Sequence, residues 1–423
     1  MSFIKSFFKD KDTSPAPSLA GDDVSLDTLK GLFPIRNYEH EKLLAFASNL
    51  KSEVFPKQTA LFHSGENTVS ALYLLKGTVA LSDGNGKTYE VVSGTGAAKF
   101  PLSSGAIHTT TGTAKTEVSV LRVSQNIMSG KHAPASPHST LLIPEELTEN
   151  RLLRSFAQHY LNEELEIPSL PNIAIKLQHA MQHDIGIADA VKIIQLDPVI
   201  SAKLIGLANC PLYVSVIPVK SCFEAVNRIG LNAARNLVIG LSLSHIFKSN
   251  SPLIKKYLDK IWRQSLYIST LSYVLASVTK QANPAEALLA GLICDIGSVP
   301  FLSFAANLPK DYYSEADIEQ ALPYIKGPVG YKVLLDWGFS EEFLNVPIYS
   351  ENWYQNSSPE LNLTDIVVLS RLHSKIGQPD LPNITSIPAA SKLKDYSLSP
   401  EHSLNLLHEA KQQINEALKV FAS

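Results

Sequence analysis

Hydrophobic positions along the chain follow two different rhythms. Between residues 26 and 123 the apolar runs are short and separated by turn residues. The runs are Ala60-Leu-Phe62, Ala71-Leu-Tyr-Leu-Leu75, Thr78-Val-Ala-Leu81, Thr88-Tyr-Glu-Val-Val92 and Glu117-Val-Ser-Val-Leu-Arg-Val123. Their connectors Gly65-Glu66, Lys76-Gly77 and Asp83-Gly-Asn-Gly86 offer the positive-φ positions of tight turns. Short strands at this spacing predict a β-barrel or roll over 26–123, entered by one or two short helices within 26–50.

From residue 147 the rhythm becomes helical. Ile193, Ile194, Leu204, Ile205 and Leu207 keep helical spacing, and Leu258, Ile261, Leu266 and 268–274 form a long apolar stripe. Asp197-Pro198 sets a cap residue before a first-turn proline. Ser221 with Glu224, and Asn283 with Glu286, read as capping boxes or near variants. Residues 147–377 are therefore expected to be all-α. The chain as a whole is expected to be multidomain, an α+β roll followed by a helical domain.

Three segments lie outside these two. Residues 1–25 read as a tail. Its Phe3/Phe7 and Ile4/Phe8 pairs, beside Lys5 and Lys9, suit either a membrane-surface or partner helix or an end docked on its own domain. Residues 124–146, with His132-Ala-Pro-Ala-Ser-Pro-His138, read as a linker. Residues 378–423 form a C-terminal extension, loop-like over 378–398 and helical from Ser399-Pro400 to near Phe421. Its stripe of Leu404, Leu407, Ile414, Leu418 and Phe421, interrupted by Lys411, fits either a homodimeric coiled coil or a helix docked on its parent.

Composition narrows the class. A chain of 423 residues suggests roughly three domains. With 45% apolar and 18% charged residues it is not a mostly disordered protein. Lys and Arg number 37 against 40 Asp and Glu, a net charge of −3, so no bulk charge draws it to nucleic acid. Cys210, Cys222 and Cys294 form no CxxC pair, which suits a reducing compartment. The start of the chain lacks a signal-peptide pattern, and the run 237–247 falls short of the roughly 18 residues of a spanning helix. A cytoplasmic protein without stable membrane insertion is expected. No P-loop, GxSxG or kinase motif is present.

Several blocks in the helical part occur in a distinctive order. They are Ile167-Pro-Ser-Leu-Pro-Asn172, the stretch 193–204 followed by Leu207-Ala-Asn-Cys210, Glu224-Ala-Val-Asn-Arg-Ile-Gly230, Ala234-Arg-Asn-Leu-Val238 and Gly291-Leu-Ile-Cys-Asp-Ile-Gly297. Together they resemble the HDOD family, the HD-related output domains of bacterial signalling proteins, over most of 150–375. The related HD hydrolases carry Gly-Leu-Leu-His-Asp-Ile-Gly at the last block. In the first region, Phe62-His-Ser-Gly-Glu66, Leu72-Tyr-Leu-Leu-Lys-Gly-Thr-Val79 and Asn85-Gly86 resemble a cyclic-nucleotide-binding β-roll.

The resemblance to HD hydrolases implies a metal held by histidines and a carboxylate, activating water against a phosphate ester. Gln264 stands where the first histidine is implied, in Trp262-Arg-Gln-Ser265. Cys294-Asp295 replaces His-Asp, and Gly327 replaces the next histidine. The last is implied near Glu351 or Asn352. The twelve histidines include none between His245 and His373. Only Asp295 remains, so no catalytic site, metal or cofactor is expected. Cys294 reads as a buried thiol. His179 and His183 share a helix face turned away from Ile173, Leu177 and Met181, and no further ligand is in view.

The β-roll resemblance implies a Glu for the ribose and an Arg for the cyclic phosphate. Lys99 falls at the Glu position, His108 near the Arg position, and Ala98 at the glycine. The expected function is a non-catalytic signal-transduction protein whose HDOD domain meets a protein partner, coupled to a degenerate sensor roll. Two alternatives stay open: a residual HD-type metal-dependent phosphohydrolase acting on nucleotides or cyclic dinucleotides, and a sensor binding a cyclic nucleotide or another small anion in the roll.

Overall fold

The computed structural model describes residues 19–124 and 147–393, except 38–42, 45–46, 48–49, 69, 83–87, 104–106, 163–164, 182, 184, 211–212, 214–216, 310, 357, 376–380 and 383–385. The Phe3/Phe7 and Ile4/Phe8 pairs, the turn at 83–86, the linker beyond residue 124 and the terminal stripe lie outside the described residues. The chain divides into two compact units. One takes in the described residues of Met1–Ser129 and Pro379–Ser391, the other those of Gly130–Gln378 and Lys392–Ser423.

In the first unit the short apolar runs become strands. They are β1 (Leu19–Asp23), β2 (Lys51–Phe55), β3 (Ala60–Phe62), β4 (Ser70–Lys76), β5 (Thr78–Ser82), β6 (Thr88–Val92), β7 (Thr111–Ala114) and β8 (Val118–Ser124), with helix α1 (Leu26–Lys30) between the first two. They form two four-stranded antiparallel sheets, ordered β1-β2-β8-β4 and β3-β7-β5-β6. The two-residue period of a strand sends alternate side chains to opposite faces. Leu72 and Leu74 of β4, Val79 and Leu81 of β5, and Val118 and Val120 of β8 join Phe55, Leu61 and Phe62 in one core. Tyr73 takes the opposite face of β4 and is also buried, its hydroxyl donating to Phe33 O at 2.7 Å. Gly77, at φ +93°, closes the β4–β5 turn, where a Cβ would meet Glu117 O and Thr116 Oγ1.

Three strands depart from the sequence expectation. β1 lies inside the segment read as a tail, and β2 and β7 carry no long apolar run. β1 and β2 are held by pairing: Leu19 opposes Val54, and Ser52 opposes Leu121. In β2, Glu53 takes a bidentate bond from Arg122 of β8, at 2.8 and 3.1 Å, so a charge there serves the sheet. β7 keeps Gly112 because the Phe62 ring occupies the space of a Cβ, 2.6 Å away. The segment read as loop-like over 378–398 includes one helical turn, Pro388–Ser391, and its described residues up to Ser391 group with this first unit.

The second unit is helical throughout its described residues. Its helices are α2 (Arg151–Leu161), α3 (Asn172–Met181), α4 (Ile187–Ile194), α5 (Pro198–Ala208), α6 (Cys222–Ile229), α7 (Leu231–Ser242), α8 (Pro252–Thr279), α9 (Pro284–Ile293), α10 (Ser298–Ala306), α11 (Glu315–Asp336), α12 (Glu341–Tyr349) and α13 (Leu363–Ser374). The cap signals read from sequence are made. Asp197 accepts from Val199 and Ile200 N–H, Ser221 from Glu224 N–H, and Asn283 from Ala285 and Glu286 N–H.

The most apolar stretch is Pro284–Ala306 rather than 237–247. It matches a spanning helix in length and composition, and 89% of it is buried within the protein. A break at 294–297 divides it into α9 and α10. Helices α8 and α9 meet backbone to backbone. Ser265, Ser269, Thr270 and Ser272 are buried small residues of α8, and Ser269 and Thr270 hydroxyls donate back to Leu266 O at 2.9 Å. A Cβ on Gly291 would stand 2.5 Å from Ser269 Cα. Gly291→Ala is expected to cost about 1–3 kcal/mol, read as a lower urea midpoint at unchanged m-value.

Candidate functional site

The break between α9 and α10 places Asp295 at the centre of the helical unit. Cys294 caps α9, and Gly297 lets this turn lie against α11, where a Cβ would collide with Lys326 O and Gly330 N. Asp295 is 4% exposed. An isolated carboxylate there would be neutralised by desolvation. Two cations prevent that: Arg371 Nη2 lies 2.7 Å from Asp295 Oδ1 and Lys326 Nζ 3.4 Å from the same oxygen. Both also hold Glu351, just past α12, with Lys326 Nζ at 2.6 Å and Arg371 Nη1 at 3.2 Å from Oε1. The Arg371–Asp295 contact is ionic rather than an in-line hydrogen bond, and Arg371 Nε has no hydrogen-bond partner.

Arg371 projects from α13, whose buried residues include Ile366, Val367, Val368 and Leu372, and is itself fully buried. Lys326 comes from α11, at a turn flanked by Pro323 and Pro328. Burial alone would push the Asp295 carboxyl upward, but Arg371 and Lys326 outweigh it and hold the group well below the usual carboxylate range. Glu351 is balanced the same way and is also lowered. On the outer side of the cluster Lys375 caps α13 and stands 5.3 Å from the Trp353 ring centroid.

The sequence-derived positions can now be placed. Asp295 and Glu351 do come together. Gly327 does not enter the cluster: a Cβ there would stand 3.3 Å from Pro347 O and 3.4 Å from Ile348 Cα, so it spaces α11 from α12. Gln264 is partly buried on α8 and takes no part in the ion network. Cys294 is fully buried, donates to Gly291 O at 3.0 Å, and has its thiol pushed up to about 12, chiefly by burial. A thiol so held supplies neither a nucleophile nor a soft ligand. Lys326 and Arg371 were not singled out from the sequence. An arginine within the apolar run Ile366-Val-Val-Leu-Ser-Arg-Leu372 is the signal that points to a buried acidic partner.

This donor set does not fit the metal that HD chemistry requires. Among the described residues no three His, Cys, Asp or Glu side chains converge. The two carboxylates present are already neutralised by fixed cations that would repel a divalent ion. His179 and His183 are exposed with ring centroids 5.1 Å apart, and His183 Nδ1 lies 3.1 Å from His179 O.

In the roll, His108 is 7% exposed, bonds Ser103 Oγ through Nδ1 at 2.7 Å, and stacks on Phe62 at 4.4 Å. Burial, the largest influence, lowers its pKa. Its ring packs in the core of the roll, where burial disfavours the charged form. Lys99 is exposed on the turn Gly96–Lys99, and Ala98 is buried.

Residues 167–352 match the HDOD domain family. A solved structure from Shewanella amazonensis, described provisionally as a metal-dependent phosphohydrolase, superposes with a TM-score of 0.56 at 21% identity, covering 65% of this chain and 99% of that one. A cyclic-nucleotide-binding-like protein of Brucella abortus matches 24% of this chain and 91% of its own, at 22% identity and a TM-score of 0.20. An uncharacterised protein of Treponema pallidum is 25% identical over 167 residues, 39% of this chain; the match spans 32% of that relative's length. Residues 167–352 thus form an HDOD domain, behind an N-terminal β-sheet region.

Arg371→Met is expected to cost about 3–5 kcal/mol in urea unfolding, because it removes the nearer counter-charge of the buried Asp295. Asp295→Asn on that background is expected to recover part of the loss, measurable as coupling in a double-mutant cycle.

A pH dependence follows from His373, whose two ring nitrogens are buried without partners. Burial lowers its pKa from 6.5 to about 4. The unfolded chain therefore binds the proton first. Stability attributable to His373 is whole above about pH 6.5 and declines as pH falls toward 4, by up to about 3 kcal/mol. The difference between wild type and His373→Phe, followed by urea titration across this range, is expected to show that slope. Asp295 and Glu351 act later, losing their contribution only as pH drops below the ordinary carboxylate range.

Proposed function

We propose that this protein is a non-catalytic signal-transduction component whose HDOD domain works by contacting a protein partner rather than by hydrolysing a phosphodiester. One observation carries the reading: Arg371 and Lys326 occupy Asp295 and Glu351 as counter-charges, at 2.7 and 3.4 Å and at 3.2 and 2.6 Å. Water activation by the HD route needs a Lewis acid at that point, and the carboxylates left to hold one are spent on side-chain cations.

The roll fits the same reading. Its residue at the implied phosphate-binding position is a buried neutral histidine, and Arg122 is committed to Glu53 and to Ser70 Oγ, 3.1 Å away. Neither residue offers the free cation that a cyclic phosphate requires. A net charge of −3 favours proteins over nucleic acids as partners.

The test is turnover. Purified full-length protein is incubated with Mn²⁺, Ni²⁺ or Mg²⁺ and bis(p-nitrophenyl) phosphate, cyclic di-GMP or nucleoside triphosphates. No metal-dependent product release above a heat-denatured control is expected. Release that saturates with substrate and disappears in Asp295→Asn would overturn the reading. Cyclic AMP and cyclic GMP are expected to leave the thermal midpoint unchanged, whereas a saturable rise would restore the sensor alternative.

A further inference from the structure

Around Asp295 the charges do not cancel. Arg371, Lys326 and Lys375 are cationic, while Asp295 and Glu351 are the two carboxylates that share their field. Asp295 and Glu351 are both taken by Arg371 and Lys326. Lys375 has no carboxylate within 4 Å among the described residues, and its ammonium meets only the Trp353 ring, 5.3 Å away. It is partly buried, as is Trp353. Burial lowers its pKa, and the neighbouring Arg371 and Lys326 charges press the same way against Glu351 and Asp295. An ammonium in this position gives up water without gaining an ion pair. A fully buried guanidinium nitrogen, Arg371 Nε, also lacks a partner. Lys375, at the C-terminal cap of α13, feels the Arg371 charge from the same helix.

We propose that this rim is a binding site for a phosphoryl group, either inorganic phosphate or the phosphate of a nucleotide. A phosphoryl group carries several strong acceptor oxygens and more than one negative charge. It would pair with Lys375 and draw on the excess positive charge of the cluster while Glu351 stays in place. Access is on the side of Glu351, whose side chain is 35% exposed against 18% for Lys326 and 1% for Arg371. The Trp353 face steadies the ammonium in the free protein by a cation–π contact, which is weaker than an ion pair. The proposal rests on the reading of this centre as metal-free: the ligand is retained and released, not cleaved.

The experiment is isothermal titration calorimetry of the full-length chain with inorganic phosphate and, separately, adenosine 5′-monophosphate, at matched ionic strength against chloride. Saturable binding of at least one probe is expected in wild type. Lys375→Gln, checked for native circular dichroism, is expected to weaken it at least tenfold. Lys192→Gln, which alters an exposed lysine paired with Asp189 at 2.8 Å, is expected to leave it unchanged. Tighter binding of the nucleotide, with phosphate competing, would assign the ligand to a nucleotide phosphoryl group; equal binding would assign it to free phosphate. No saturable heat with either probe, or heat equal in wild type and Lys375→Gln, overturns the site. Failure here leaves the non-catalytic reading intact. Metal-dependent turnover in the preceding assay would overturn that reading whether or not Lys375 binds an anion.

Discussion

A carboxylate buried to 4% exposure has to be neutralised by something, and the choice of counter-charge decides what the helical unit can do. A divalent metal is exchangeable, open to water and strongly polarising. A guanidinium and an ammonium carry the same total charge but are tethered and cannot activate a water. In this protein Arg371 and Lys326 take the second course, from α13 and α11, and tie α9, α11, α13 and the segment after α12 to one point. The network stabilises mainly against its own disruption. Removing one member leaves buried charge behind, whereas replacing the whole set with apolar residues is often neutral.

Much of the architecture was legible because local chemistry and tertiary packing agree. The helix starts at Asp197, Ser221 and Asn283 are written in cap residues whose side chains close the exposed N–H groups. Strands β3, β4, β5, β6 and β8 are written in alternating apolar runs bounded by turn glycines. Strands β1, β2 and β7 were not legible, since their polar and small residues acquire strand character from pairing with neighbours distant in sequence. Strand preference reflects the surface a residue packs against as much as its own type. The site divides the same way. Histidine positions filled by glutamine, cysteine and glycine can be read directly. The ion network cannot, because 295, 326, 351 and 371 are spread over a long stretch of chain and only the fold shows that they meet.

The roll also pairs its polar groups internally. Arg122 is absorbed into a cross-strand pair with Glu53, and His108 into an aromatic stack with Phe62. Each polar group satisfies itself inside the protein. A discriminating ligand site works the other way, keeping donors and acceptors unpaired until the ligand supplies their partners. In the helical unit, Lys375 has no ion pair among the described residues.

On the proposed metal-free reading, HD hydrolysis lies more than one substitution away. An imidazole at 327 would have to enter the contact between α11 and α12, where even a Cβ would stand 3.3 Å from Pro347 O. At 294 the side chain is enclosed on all sides, with the thiol already bonded to Gly291 O. Adding ring volume at either place forces helices apart in a core that cannot absorb it without strain. Even with both histidines seated, Arg371 and Lys326 would still face Asp295 and repel the incoming ion. On that reading, an HD-type metal centre requires removing the cations and respacing the helices together, and each change made alone leaves either stranded carboxylates or an overpacked core.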